Sequence, residues 1–179
     1  PAPTPSAPNP YPDLLPDSLF AKGVVRFASF NNLYKVTPRT FKVWMKILRG
    51  TPEAVLWLLE MPTAAAARLH AEAEAAGVDA RRIIFTPLFP REVHLQVKSL
   101  AHLFLDTLTY NAHTSAADAL AAAVPLLSLP GSSMPSRVAA SILLAARSPQ
   151  GLARTDGEYL ALATHTARLL PLPATGASA

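Results

Sequence analysis

Largely apolar runs alternate along this chain with stretches of helical period, and that alternation leaves few folds open. Val24 to Ser29 (VVRFAS) reads as a strand. Thr37-Pro38 then supplies a helix cap with proline at the first helical position. Phe41, Trp44, Met45 and Leu48 repeat at i, i+3, i+4 and i+7, and Gly50 stops that helix. Val55 to Leu59, Ile83 to Thr86, Leu103 to Asp106 and Leu126 to Leu129 read as four more strands. Between and after them, helical patterns run from the cap Thr63 to Gly77, near Glu92 to Ala101, over Thr114 to Ala123, Met134 to Ala146 and Gly157 to Leu170. Strand and helix taking turns predict a parallel α/β sheet. Strands apolar throughout predict helices covering both of its faces. With right-handed crossovers this is a Rossmann-like, doubly wound domain.

The chain's 179 residues are enough for one such core. Residues 1–16 carry seven prolines among Ala, Ser and Thr, a composition that resists helix. The expected organisation is a Pro-rich linker over 1–19, one folded lobe over 20–170 and a flexible tail over 171–179. The chain has no cysteine, which excludes disulfides, thiolate chemistry and cysteine-held zinc. A net charge of +4, spread without any Lys/Arg block, suits an anionic small ligand and lacks the mark of a nucleic-acid arm. The longest apolar stretch, Ala119 to Leu129, is interrupted by Pro125 and is too short to span a bilayer.

Ligands of doubly wound sheets bind beyond the carboxyl ends of the strands. Three loops there hold clustered polar residues. After the first strand come Asn32 and Lys35; a lysine on its flexible stem can reach a phosphate as a point charge. After the third strand comes Pro87-Leu88-Phe89-Pro90-Arg91, followed by His94. Two prolines stiffen that loop for holding a base edge, and the imidazole could lie on a nucleobase. After the fourth strand His113, Thr114 and Ser115 open a helix, where free amides and the positive dipole end favour an anion. Asp118 follows one turn later, placed to accept from ribose hydroxyls. Each feature also reads as ordinary surface: a solvated lysine, a half-exposed histidine, and a plain cap with a first-turn carboxylate. No Gly-rich dinucleotide fingerprint is present.

The runs FNNLYKVTPRTFKVWMKIL (30–48), VLWLLEMP (55–62), RIIFTPLFPREVH (82–94), LDTLTYNAHTSAADAL (105–120) and LPGSSMPSRVAAS (129–141) resemble, in order and spacing, the C-terminal catalytic lobe of protein O-GlcNAc transferases. SPINDLY-like O-fucosyltransferases share the plan but match less well around His113 and the SRVAAS run. The resemblance implies a GT-B architecture whose C-terminal lobe binds UDP-GlcNAc. It implies inverting, metal-independent transfer of N-acetylglucosamine to Ser/Thr of cytoplasmic and nuclear proteins, with no cofactor. It assigns Asn32 and Lys35 to the diphosphate, with Lys35 neutralising the leaving UDP. His113, Thr114 and Ser115 would hold the diphosphate, Asp118 the ribose, and the Phe89 backbone, Arg91 and His94 the uracil and its ribose. The implied partners are a UDP-sugar, protein acceptors and an upstream catalytic lobe with tetratricopeptide repeats, with no nucleic acid and no membrane.

The chain departs from the family pattern in places. Asn32 stands for Gln, Arg91 for Lys, Ser115 for Thr, and Val97 for an Arg that helps hold the nucleotide, with Lys98 adjacent. Ala112 and Ala116 stand where the family has glycine, and each added methyl is expected to crowd a backbone that must approach phosphate closely. The family's acceptor-side lobe has no counterpart in these residues, so residues 1–179 alone are expected to bind UDP weakly and transfer little sugar. A non-catalytic scaffold descended from the same fold, or a GDP-fucose enzyme, stays open at this point.

Overall fold

The computed structural model describes residues 9–170. Five parallel strands, β1 (Val25–Ser29), β2 (Ala54–Leu59), β3 (Ile83–Thr86), β4 (Leu103–Leu105) and β5 (Leu126–Leu127), form one sheet in the order β3-β2-β1-β4-β5. Six α-helices connect and follow them: α1 (Pro38–Gly50), α2 (Ala64–Ala75), α3 (Arg91–Lys98), α4 (Thr114–Ala121), α5 (Val138–Ala145) and α6 (Asp156–Leu169). This is the doubly wound architecture expected from the alternation of elements. The chain steps outward from β1 to β3, then returns to the other side of β1 to lay down β4 and β5. The strand order therefore reverses between β1 and β4, the place where open α/β sheets bind ligands.

Alternate residues of each strand feed two cores, one on each face. Val25, Phe27, Leu56 and Leu58 pack with Phe41, Trp44, Met45 and Leu48 of α1 and Tyr159 and Ala163 of α6. Ala28, Val55, Trp57, Ile84 and Phe104 pack with Val97, Ala116 and Ala119 on the other face. The periodic stripe of α1 is thus its buried face. Its start is fixed as the sequence predicts: the Thr37 hydroxyl accepts from the Thr40 amide at 3.3 Å, and Pro38 takes the first turn.

Several boundaries differ from expectation, each for a local reason. The packed chain begins before residue 20. Leu15 and Leu19 are buried in the second core, and Asp17–Phe20 forms a 3-10 turn. Apolar side chains set among the prolines anchor that end of the expected 1–19 linker. Residues 1–8 and the expected tail, 171–179, lie outside the described residues. Thr63 has helical dihedrals and makes no capping bond. The single helix expected over 134–146 divides into a 3-10 turn, Met134–Ser136, and α5, because the ring of Pro135 suits a first turn and not a helix interior. β4 stops at Leu105, one residue early. The Asp106 amide still donates to Leu127 O of β5 at 3.0 Å, while its carboxylate turns into the following loop.

Candidate functional site

Asp106 organises the loop that joins β4 to α4. Its Oδ1 accepts the amides of Thr107 (2.8 Å) and Ala112 (2.6 Å), and its Oδ2 accepts the Ser128 hydroxyl at 2.6 Å. Its backbone carbonyl takes the Tyr159 hydroxyl at 2.9 Å. Complete burial pushes this carboxyl up to about 7, and its hydrogen bonds work in the opposite direction. Within the same loop Asn111 Nδ2 donates to Thr107 O (2.7 Å) and the Asn111 amide to Pro135 O (2.9 Å). The approach to α4 is therefore held on several sides before the helix opens at Thr114.

The β1 loop meets this one across the switch point. Asn31 Nδ2 lies 3.4 Å from Thr107 Oγ1, Ser115 Oγ lies 3.3 Å from Phe30 O, and Lys35 Nζ donates to Asn111 O at 3.0 Å. The Lys35 ammonium also sits 4.1 Å from the centre of the Tyr110 ring, a cation–π contact. Partial burial lowers its pKa, while the charge of Asp106 raises it. Asn32, half-buried, spends its side-chain oxygen on the Tyr34 amide at 3.3 Å, leaving its amide hydrogens to donate outward. His113 occupies the N-cap position of α4, without a side-chain cap bond. Its ring faces that of Tyr110 at 5.1 Å. Thr114 and Ser115 follow at the helix head, where backbone amides lack intrahelical acceptors. Sequence positions 32–35 and 113–115 are thus brought to one edge of the sheet, a cation beside a helix opening.

The third group sits on α3 and α4. His94 Nδ1 is buried without a partner, and the ring meets Phe30 edge-on at 5.8 Å. Burial first, then the charge of Lys98, lowers the imidazole to about 4, so it is neutral at physiological pH. Asp118 is partly exposed and accepts the Lys98 ammonium on Oδ2 at 2.7 Å. The Phe89 ring is buried in the second core, which leaves its backbone for any contact outward. Arg91 is the first residue of α3, and its side chain lies outside the described residues.

Three of the departures from the family pattern are core residues. Ala112 and Ala116 are fully buried, with their methyl groups in the second core beside Phe30, Trp57 and Phe104. Neither has a positive φ, so neither position demands glycine. The two methyls add to the packing of that core. Val97 is likewise a core residue at 1% exposure, and the cation on this part of α3 is Lys98. Sequence reasoning also missed Asp106, which it read only as the end of a strand. An acidic residue closing an apolar run is a visible signal of a loop organiser.

The family model described as glycosyl transferase family 41 matches residues 16–169. The chain belongs to that family. Among curated glycosyltransferases it is similar to the UDP-N-acetylglucosamine–peptide N-acetylglucosaminyltransferase of Caenorhabditis elegans. The two are 37% identical over 137 residues, covering 76% of this chain and 12% of that protein. Among solved structures it is similar to a mutant O-GlcNAc transferase of Thermobaculum terrenum, 32% identical with a TM-score of 0.79. That match covers 93% of this chain and 32% of the other. An E. coli trehalose-6-phosphate structure bound with UDP-2-fluoro glucose, 15% identical with a TM-score of 0.53, shares the fold alone. This family 41 chain is thus a Rossmann-like lobe of GT-B type, and it spans a small part of the length of its relatives.

Proposed function

We propose that this lobe binds the UDP-GlcNAc donor of an inverting, metal-independent glycosyltransferase that places O-linked N-acetylglucosamine on Ser/Thr of intracellular proteins. Family membership and the name of the C. elegans relative support the chemistry. The single observation that carries the site is the Lys35 ammonium held at Asn111 O, three residues before the opening of α4. A diphosphate at that junction would meet a cation, the head amides of Thr114 and Ser115, the Thr114 hydroxyl and the positive end of the helix.

In an inverting transfer the acceptor hydroxyl attacks the anomeric carbon from the face opposite the diphosphate. The C–O bond to UDP breaks as the new glycosidic bond forms. Negative charge grows on the departing phosphate oxygen, and a fixed cation with aligned amides stabilises that charge more than the ground state. Lys35 and the α4 head take this role, and Asn32 and His113 add contacts to the phosphates. Asp118 accepts from the ribose. The neutral His94 imidazole, the Phe89 backbone and Arg91 frame the nucleoside. The proton of the acceptor and the acceptor peptide itself are handled by an upstream lobe carrying tetratricopeptide repeats. These 179 residues therefore bind UDP and by themselves transfer little sugar. A cytoplasmic or nuclear setting, without nucleic acid or membrane as partner, belongs to the same reading.

Calorimetric titration of the chain with UDP, UDP-GlcNAc and GDP-fucose tests it. The expected result is binding of both uridine ligands and ~10-fold weaker binding of GDP-fucose, the ratio that one lost hydrogen bond to the base of about 1.4 kcal/mol produces. A guanosine preference would move the chain to the fucosyltransferase reading, and absence of nucleotide binding to the scaffold reading.

A further inference from the structure

Lys98 is the last residue of α3, and its charged side chain is buried at 2% exposure. Taking an ammonium out of water is costly unless it is paired. Its partner is Asp118 on α4, through Oδ2 at 2.7 Å. That contact ties the helix carrying His94 to the helix whose head receives the diphosphate. The pairing is incomplete in an informative way. A carboxylate can accept at both oxygens, and Oδ1 of Asp118 meets no donor among the described residues. Asp118 keeps 24% side-chain exposure, so this acceptor is reachable. Beside it His94 Nδ1 is buried without a partner.

We propose that Lys98 is a positioning residue for nucleoside recognition. It holds Asp118 by one oxygen, so that the other is presented to the ribose hydroxyls of a nucleoside diphosphate. The inference rests on the donor-site reading above and adds what makes Asp118 selective. Without the lysine, the carboxylate is free to rotate and hydrate, and the ordering needed to receive a ribose falls on the ligand.

The test compares UDP with 2′,3′-dideoxy-UDP on the 179-residue chain, by calorimetry. In the unchanged protein UDP is expected to bind on the order of 10-fold more tightly than the dideoxy ligand. Lys98→Met keeps the length and apolar stem of the side chain and removes its charge. It is expected to weaken UDP by roughly 10-fold, leave the dideoxy ligand within about twofold, and bring their ratio close to one. Asp118→Asn should give the same collapse, and the double variant should be no worse than either alone. A thermal melt checks that each variant is folded. Should Lys98→Met fail to fold, Lys98→Gln, which retains a hydrogen-bond donor, is measured in its place and is expected to recover part of the ratio. A folded Lys98 variant with an unchanged UDP to dideoxy-UDP ratio overturns the positioning role and leaves the donor site standing. An unchanged protein that binds neither ligand overturns both.

Discussion

Replacing Ala116 with glycine separates two opposed views of the family's missing glycines. If the methyl crowds the phosphate, removing it improves nucleotide binding; if it fills the core, removing it weakens the fold. The side chain is fully buried among Phe30, Phe104 and Ala119 in the second core. Deleting one buried methyl costs about 0.8 kcal/mol. Glycine in place of alanine within a helix costs about 0.8–1.0 kcal/mol, only part of which applies in the first turn of α4. The sum is about 1.5 kcal/mol, a drop in Tm of roughly 3–6 °C for a domain of this size. Ala112→Gly should lose about the same, since its buried methyl goes and the unfolded chain gains freedom. Differential scanning calorimetry reads the stability, and titration with UDP reads the site, where both variants should stay within about twofold of the parent. A rise in UDP affinity of roughly fivefold or more, with no loss of Tm, would refute the inward packing of these methyls.

Two further outcomes follow from the same geometry. Burial raises the Asp106 carboxyl to about 7, so the folded state binds its proton more tightly than the unfolded chain does. Its contribution to stability is complete below the ordinary carboxylate range and is lost as pH rises towards 7. Urea unfolding at pH 5 and pH 8 should therefore show the parent losing on the order of 2 kcal/mol more than Asp106→Asn over that interval. All other groups are common to the two proteins and cancel in the comparison; equal slopes would contradict the buried carboxyl. Gly151 lies against the Leu126 carbonyl, where a Cβ would overlap backbone. Gly151→Ala should destabilise by about 2–3 kcal/mol in the same unfolding assay, and a neutral result would mean that the β5 edge is looser than described.

The order and type of the elements were legible because strands buried on both faces are apolar runs and the helix stripes repeat with their own period. Phe41, Trp44, Met45 and Leu48 are the buried face of α1 as their spacing implied. Residue types at the strand ends also pointed to the polar groups of the site. Their assembly was not legible, because it depends on strand order. Lys35 meets Asn111 across 76 positions only because β4 returns beside β1. The pairing of Lys98 with Asp118 likewise needs α3 and α4 to be neighbours, which no local pattern states. The direction of the Ala112 and Ala116 methyls was hidden for the same reason. A substitution shows its volume in the sequence, and only the fold shows which side receives it.

The central claim is that the Lys35 ammonium and the head of α4 hold one diphosphate between them. A crystal structure of the chain soaked with UDP measures this directly. The account predicts the phosphates about 3 Å from Lys35 Nζ and from the amides of Thr114 and Ser115, the distance of charge-assisted hydrogen bonds. UDP bound at another face, or phosphates contacting only one of the two groups, would contradict it.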